Sequence, residues 1–354
     1  MFSARPLVAV AMSCASAAFG QTIAPQYESN YTIQSLGSVP GVPPSYGGLA
    51  ISPTDNNLLL IGGAANNTFA AVYSIRVTRD QCGSIIGFDG TAVQVASAPQ
   101  IDGGLLVTTD GVILTSRYPD NGINMIEPGS TSPDKVVFLS GLGVVGSTGS
   151  IVIVPPGQPG AGRLKILSYS SGIFYDSTLV PDGMGTYNVT GVNSGVFVGG
   201  GPEGAAYVPA GSPLFAAPAV LIAEYGTGSV SAWDVDANGD PILGTRRLFA
   251  SSLTGAEGAY IDPSSGDFIF SSFGGGNAVY VVRGFAEVIT CDSIDFNGDG
   301  LFPDNQDLED FFSVFGGGPC STGTCSDIDF NNDCLFPDNS DLEAFLNVFG
   351  GGPC

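Results

Sequence analysis

The chain has 354 residues, with 52 Gly, 24 Pro, 22 Phe and no His. Without imidazole there is no Ser-His-Asp or Cys-His nucleophile pair and no His-liganded zinc or haem. With 10 Lys+Arg against 33 Asp+Glu, a net charge of −23, there is no basic field to hold nucleic acid or anionic lipid. The 44 % of hydrophobic residues follow period-2 patterns, which excludes disorder and predicts strands and turns.

Residues 1–20 read as a signal peptide. Arg5 precedes an apolar run from Leu7 to Met12, and Ala18-Phe19-Gly20 offers a small-x-small cleavage site before Gln21, with Ala15-Ser16-Ala17 as a second candidate. The longest later apolar run, Phe215 to Ala223, is interrupted by Pro218, so no membrane span is expected. The expectation is a secreted, extracellular or surface-associated protein. Its mature cysteines would be Cys82, Cys291, Cys320, Cys325, Cys334 and Cys354, an even set suited to disulfides.

Residues 21–289 carry a repeated phrase. It stands as Gly48-Leu-Ala-Ile-Ser-Pro53, Gly104-Leu-Leu-Val-Thr-Thr109, Ser150-Ile-Val-Ile-Val-Pro155, Gly204-Ala-Ala-Tyr-Val-Pro209 and Gly258-Ala-Tyr-Ile-Asp-Pro263, at spacings of 56, 46, 54 and 54. Each phrase is followed by a second apolar run, ending at Gly63, Arg117, Tyr169, Tyr225 and Phe273, and most units add a third. Gly, Asn, Asp and Ser turns separate the runs. Units of three or four short strands bury both faces by radial stacking, so the expected fold is mainly β, a five- or six-bladed β-propeller, with a sandwich as the alternative. Residues 22–46, including the strand-like stretch from Tyr31 to Leu36, are free to complete the last blade. The pattern resembles the broad class of propellers that includes NHL-type and lactonase-type proteins.

Glu203 and Glu257 precede the Gly of two phrases, where the other units have Gly47, Gly103 and Gly149. Strand capping is the plainer reading of both. In lactonase-like propellers a Glu at a similar place binds a catalytic metal, and that resemblance is the one enzymatic thread. Three or more inward Asp/Glu at one mouth of the channel would favour an enzyme, and a Gly/Ser/Thr lining would favour binding or structure. Asp234-Val-Asp236-Ala-Asn238-Gly239-Asp240 matches the opening of an EF-hand loop but lies between strands, so it reads as an Asn-Gly turn. Asn30, Asn66 and Asn188 begin Asn-x-Ser/Thr sequons and read as turn residues.

The segment 291–354 contains a second, sharper repeat. Residues 291–320 and 325–354 align at a period of 34 and share 22 of 30 positions, and the segment holds 13 acidic residues and no Lys or Arg. Such a density of carboxylates repels itself unless a cation sits among them. Asp295, Asn297 and Asp299, and in the second repeat Asp329, Asn331 and Asp333, place oxygens at alternate positions as in the first half of an EF-hand loop. Leu301 and Leu335 would supply backbone carbonyls, and oxygen-only ligands select Ca²⁺. Leu308, Phe311, Phe312 and Phe315, repeated as Leu342, Phe345, Leu346 and Phe349, have helical spacing and stop at Gly-Gly-Gly-Pro.

Calcium half-loop, helix, duplication and terminal position together resemble a dockerin, of the type ending GGGPC in secreted bacterial proteins. The resemblance implies a calcium-binding module that docks the propeller onto a cohesin-like or other cell-surface partner through its apolar helix faces. The usual position-12 carboxylate is Gln306 or Ser340 here, so Asp307 and Asp341 are read as closing the loops, with Asp304 and Asp338 as rivals. Cys334 stands where the second loop would have its Gly. Cys291–Cys320 and Cys325–Cys354 would staple each repeat, with Cys320–Cys325 as the main alternative. The overall expectation is a secreted, calcium-binding display protein with no assignable catalytic set; the alternative is a secreted hydrolase or lyase acting on carbohydrate or lactone, anchored by the same tail.

Overall fold

The computed structural model describes residues 20–80, 82–285, 291–301, 303–331 and 337–352. Residues 1–19 of the segment read as a signal peptide, and Asp333, Cys334, Leu335 and Cys354, lie outside the described residues.

Two N-terminal strands, β1 (Thr22–Ile23) and β2 (Thr32–Gly37), precede the repeated units. The first unit is β3 (Leu49–Ser52), β4 (Asp55–Gly63), β5 (Ala71–Arg79) and β6 (Ile85–Ser97). The second is β7 (Ile101–Val107), β8 (Ile113–Arg117), β9 (Gly122–Ile126) and β10 (Lys135–Phe138). In the third, β11 (Thr148–Ile153), β12 (Leu164–Ser168), β13 (Ile173–Pro181) and β14 (Tyr187–Thr190) are joined by a short β15 (Val196–Phe197) on β13. The fourth comprises β16 (Pro202–Tyr207), β17 (Ala219–Glu224), β18 (Ser229–Asp234) and β19 (Arg247–Ser251). The last has β20 (Ala256–Ile261), β21 (Phe268–Ser272) and β22 (Val279–Arg283). Each unit is one antiparallel sheet in chain order, which makes a five-bladed propeller and removes the six-bladed and sandwich alternatives.

Closure comes from the N-terminus. β2 pairs antiparallel with β22, Thr32 opposite Arg283, and supplies the fourth strand of the last blade. β1 pairs with β19 of the neighbouring blade. Tyr27 and Tyr31, on the segment between them, are buried with Phe249 and Phe285 and pack against Phe215. Truncating a buried aromatic of this kind costs about 3–5 kcal/mol, so the ring is held shut by packing as well as by strand pairing.

The opening strands of the blades converge on the propeller axis, and their glycines allow the close approach. A Cβ on Gly103 would stand 1.8 Å from the carbonyl oxygen of Glu203, and one on Gly258 would stand 2.5 Å from the Cα of Gly48. Side chains cannot occupy these places, so the four phrases that begin with Gly (Gly48, Gly104, Gly204 and Gly258) do so for a packing reason.

Beyond the propeller lie two helices, α1 (Asn305–Phe315) and α2 (Asn339–Phe349). Asp304 and Asp338 are their N-caps, and Asp307 and Asp341 complete capping boxes. Phe311 and Phe345 stack with centroids 3.9 Å apart and planes 9° from parallel. With Ile294, Phe296, Ile328 and Phe330 they form a separate small core. Much of the helical apolar surface is therefore used internally, and Phe312 and Leu346, at equivalent positions, are the large apolar residues of the helices left exposed.

The disulfide expectation needs correction. Cys320 bonds Cys325 across the link between the repeats, which rules out both Cys291–Cys320 and Cys325–Cys354. The reason is local: the four-residue link 321–324 brings the two Cα atoms to 5.8 Å, within ordinary disulfide reach. Cys82 and Cys291 are also disulfide-bonded, so Cys82 is not a free thiol.

A candidate cation site in the propeller channel

Asp102, Glu203 and Glu257 come together at one mouth of the channel, with a carboxylate oxygen of each within 4.8 Å of the others. All three side chains are buried, at 1 %, 4 % and 1 % exposure. The capping reading of Glu203 and Glu257 is therefore replaced by a convergent acidic cluster. Among the described residues it is the one such group of three.

Backbone irregularity puts the acids there. β7, β11, β16 and β20 each shift register against their neighbour near the start, at Ile101/Leu105, Thr148/Ser150, Pro202/Gly204 and Ala256/Ala259. Such bulges re-aim the side chains they contain. In β16 and β20 the acid immediately precedes the phrase glycine. In β7 it falls one place earlier, so aligning the phrases finds Gly103 and misses Asp102. Gly149 contributes by having no side chain: a Cβ there would lie 2.6 Å from Glu203 Oε2.

The carboxyl groups form the floor of a cavity of about 270 Å³ lined by Asn66, Tyr118, Tyr169, Tyr225 and Phe273. Asn66, expected as a plain turn residue, has φ 67° and hydrogen-bonds Ile101 O through its backbone N–H. Its Oδ1 is buried without a hydrogen-bond partner, as are Asp102 Oδ2 and Glu203 Oε2. Unpartnered buried oxygens are costly, and here several point to one place.

The electrostatics agree. Burial pushes Asp102 up to about 7, despite partial relief from Glu257, Glu203, Asn66 and the Gly103 backbone. Glu203 is raised well above the usual range by burial and then by the Asp102 charge, and Glu257 by burial and then by Glu203 and Asp102. Three carboxylates this close cannot all ionise in a low-dielectric site unless a cation joins them. The donor set is oxygen only, which fits a hard divalent ion such as Ca²⁺, Mg²⁺ or Mn²⁺.

The C-terminal loop residues are placed as follows. Asp295 accepts hydrogen bonds from the backbone N–H groups of Asp299 and Gly300, and Asn297 Oδ1 accepts one from Asp299. Asp307 reaches back toward the loop, accepting at 3.4 Å from Asn297 N, while Asp304 is occupied in capping α1. Leu301 is exposed at the end of this loop. In the second repeat Asp329, Asn331 and Asp341 are buried, and Asp341 Oδ1 has no hydrogen-bond partner.

The turn at 234–240 holds no cation-shaped gap. Asp236 accepts from the N–H groups of Asn238 and Asp240, and the buried ammonium of Lys165 bonds Asp240, Asp176 and Asn238 O at 2.6–2.7 Å. Asp234 pairs with Arg247. The Asn-Gly turn reading holds, with a lysine bridging two blades through it.

No family model matches the chain, and no curated protein does. Solved propeller structures resemble it distantly. A Bacteroides uniformis protein provisionally described as a 6-phosphogluconolactonase is 15 % identical over 66 % of each chain, with a TM-score of 0.36. The Myceliophteria thermophila Cps50 β-propeller domain is 10 % identical over 66 % of this chain and 68 % of its own, at 0.37. The holo form of the pyranose dehydrogenase PQQ domain from Coprinopsis cinerea is 10 % identical over 75 % and 97 %, at 0.39. Likenesses this distant concern the fold alone. Among the described residues no helix is long and apolar enough to cross a membrane.

Proposed function

We propose that the propeller holds a divalent cation on Asp102, Glu203 and Glu257, with Asn66 Oδ1 as a further oxygen, and acts as a hydrolase or lyase on a small carbohydrate or lactone. The observation that carries this reading is the convergence of three buried carboxyl groups, two with unpartnered oxygens, on the floor of an aromatic-walled cavity. Bound there, an ion would supply Lewis-acid polarisation of a ligand oxygen and acidify a coordinated water. The chain's own residues orient the ligand: the Tyr and Phe walls exclude water from its apolar face, and the carboxyl floor holds the reacting end. The C-terminal repeats fit the accompanying role. We infer that they bind Ca²⁺ through Asp295, Asn297, Asp299, Leu301 and Asp307 and through Asp329, Asn331, Asp333, Leu335 and Asp341. Phe312 and Leu346 then face a cohesin-like or other surface partner of the secreted protein.

The test uses the full chain. Equilibrium dialysis against Mn²⁺ is expected to show one ion fewer in Glu203→Gln/Glu257→Gln than in the wild type, and lactone or glycoside turnover is expected to vanish with it. Equal stoichiometry in the two proteins would overturn the channel assignment. Wild type that binds the ion but turns over no member of a lactone and glycoside panel would leave a binding protein instead.

A further inference from the structure

The cavity wall follows a rule that four of the five blades obey. The residue directly after the second strand is Tyr118 after β8, Tyr169 after β12, Tyr225 after β17 and Phe273 after β21. These rings touch edge to face in sequence around the mouth, Tyr118–Tyr169 at 5.9 Å, Tyr169–Tyr225 at 5.9 Å and Tyr225–Phe273 at 6.1 Å. The first blade breaks the rule, with Ala64 after β4 and the Asn66 amide taking the fifth place in the wall. The collar is thus an aromatic arc closed by one carboxamide.

Charge is equally one-sided. Among the described residues no Lys or Arg lines the cavity, and its carboxyl groups are the three of the floor. A divalent ion neutralises two of three negative charges, so the loaded site still carries negative charge. An anionic ligand would meet like charge in a low-dielectric cavity, a juxtaposition that costs several kcal/mol.

We propose that the ligand of this site is an uncharged ring, a neutral sugar or lactone, seated with its apolar face on the Tyr118–Tyr169–Tyr225–Phe273 arc and its oxygens toward the floor and Asn66, and that phosphorylated and carboxylated forms of the same ring are rejected. The inference rests on the cation reading above and adds the ligand's charge and its mode of seating. Tyr169 and Tyr225, the two inner members of the arc with ring neighbours on both sides, are the specificity-determining residues.

The experiment takes the Mn²⁺-loaded full chain and a panel of neutral hexoses and their 1,5-lactones, each beside its 6-phosphate and its uronic acid. Binding is read by saturation-transfer NMR and tyrosine fluorescence. Neutral members are expected to bind, with the anionic counterparts weaker by about a hundredfold or more. Tyr169→Ala is expected to weaken the neutral ligands about tenfold, the worth of one aromatic platform, while leaving Mn²⁺ stoichiometry unchanged. Anions binding as well as neutral rings, or no neutral ring binding to a normally loaded protein, would overturn this inference and leave the cation site standing. Failure of the wild type to take up Mn²⁺ in the channel would instead remove the cation reading, and this inference with it.

Discussion

The molecule gathers carboxyl groups in two regions and does so in opposite ways. In the C-terminal repeats the acids are close in sequence, spaced by alternation, and surrounded by backbone N–H donors of their own loop, as Asp295 is by Asp299 and Gly300. In the channel they come from three different blades, 102, 203 and 257, and the cavity leaves two of their oxygens without partners. A loop can satisfy its carboxylates locally, with its own backbone donors. A cluster assembled by the tertiary fold is desolvated by that same fold, and its protonation is bound up with folding. High local charge density therefore identifies the first kind of site, and only the assembled ring reveals the second.

Three perturbations separate the two regions. The largest effect is expected from Asp307→Ala/Asp341→Ala in the full chain. Removing the residue that closes each loop should weaken tail Ca²⁺ binding about a hundredfold, as lost charge-assisted ligands do, while channel Mn²⁺ binding stays within twofold. Calorimetry with each ion checks both halves, and parallel loss at the two sites would mean that they are not independent.

Gly149→Ala probes the channel alone. Its new Cβ would meet both Pro202 O, at 2.4 Å, and Glu203 Oε2, at 2.6 Å. Overpacking of this kind costs about 1–3 kcal/mol. Thermal unfolding should show that loss, and channel affinity should fall about tenfold as Glu203 is displaced, with tail calcium unaffected.

The smallest effect is a pH dependence. The Asp102 carboxyl ionises near 3.8 when unfolded and near 7 in the fold. Between those values the Asp102 carboxyl binds its proton more tightly in the native state than in the unfolded chain, so its contribution to the stability of the ion-free protein is lost as pH rises from about 4 through about 7, and the raised Glu203 and Glu257 act in the same direction. Cation binding must displace those protons, so channel affinity climbs through the same window, and tail affinity, measured alongside, serves as the comparison. Denaturant titrations and Mn²⁺ binding at a series of pH values read both trends.

Much of this was legible before any coordinates. Phrases beginning in Gly, at nearly even spacing, announced radial units, and the free N-terminal stretch ending near Leu36 announced the closing strand that pairs with β22. The helices were equally plain from their apolar spacing and Gly-Gly-Gly-Pro stops, whereas Asp304 and Asp338, read as rival loop ligands, turned out to be their N-caps. The channel site was half visible: Glu203 and Glu257 stood out, but Asp102 was hidden by a bulge that offsets it by one residue from the repeat frame. A signal for the wall was present and went unread, namely an aromatic directly after the second strand in four of the five units. The Cys320–Cys325 disulfide stood among the alternatives that spacing allows, but spacing alone does not choose between it and the pairings that would staple each repeat.

The pairing of Thr32 with Arg283 also sets a schedule. Long-range pairings of this kind form late, since most of the intervening chain must be ordered before they pay back their loop closure. A growing or translocating chain carries β2 as an unmatched edge until the last blade has emerged. Until then Asp102, Glu203 and Glu257 share no cavity. On the proposed cation reading, uptake of an ion in the channel would mark molecules that have finished folding and distinguish them from those still waiting for their last strand.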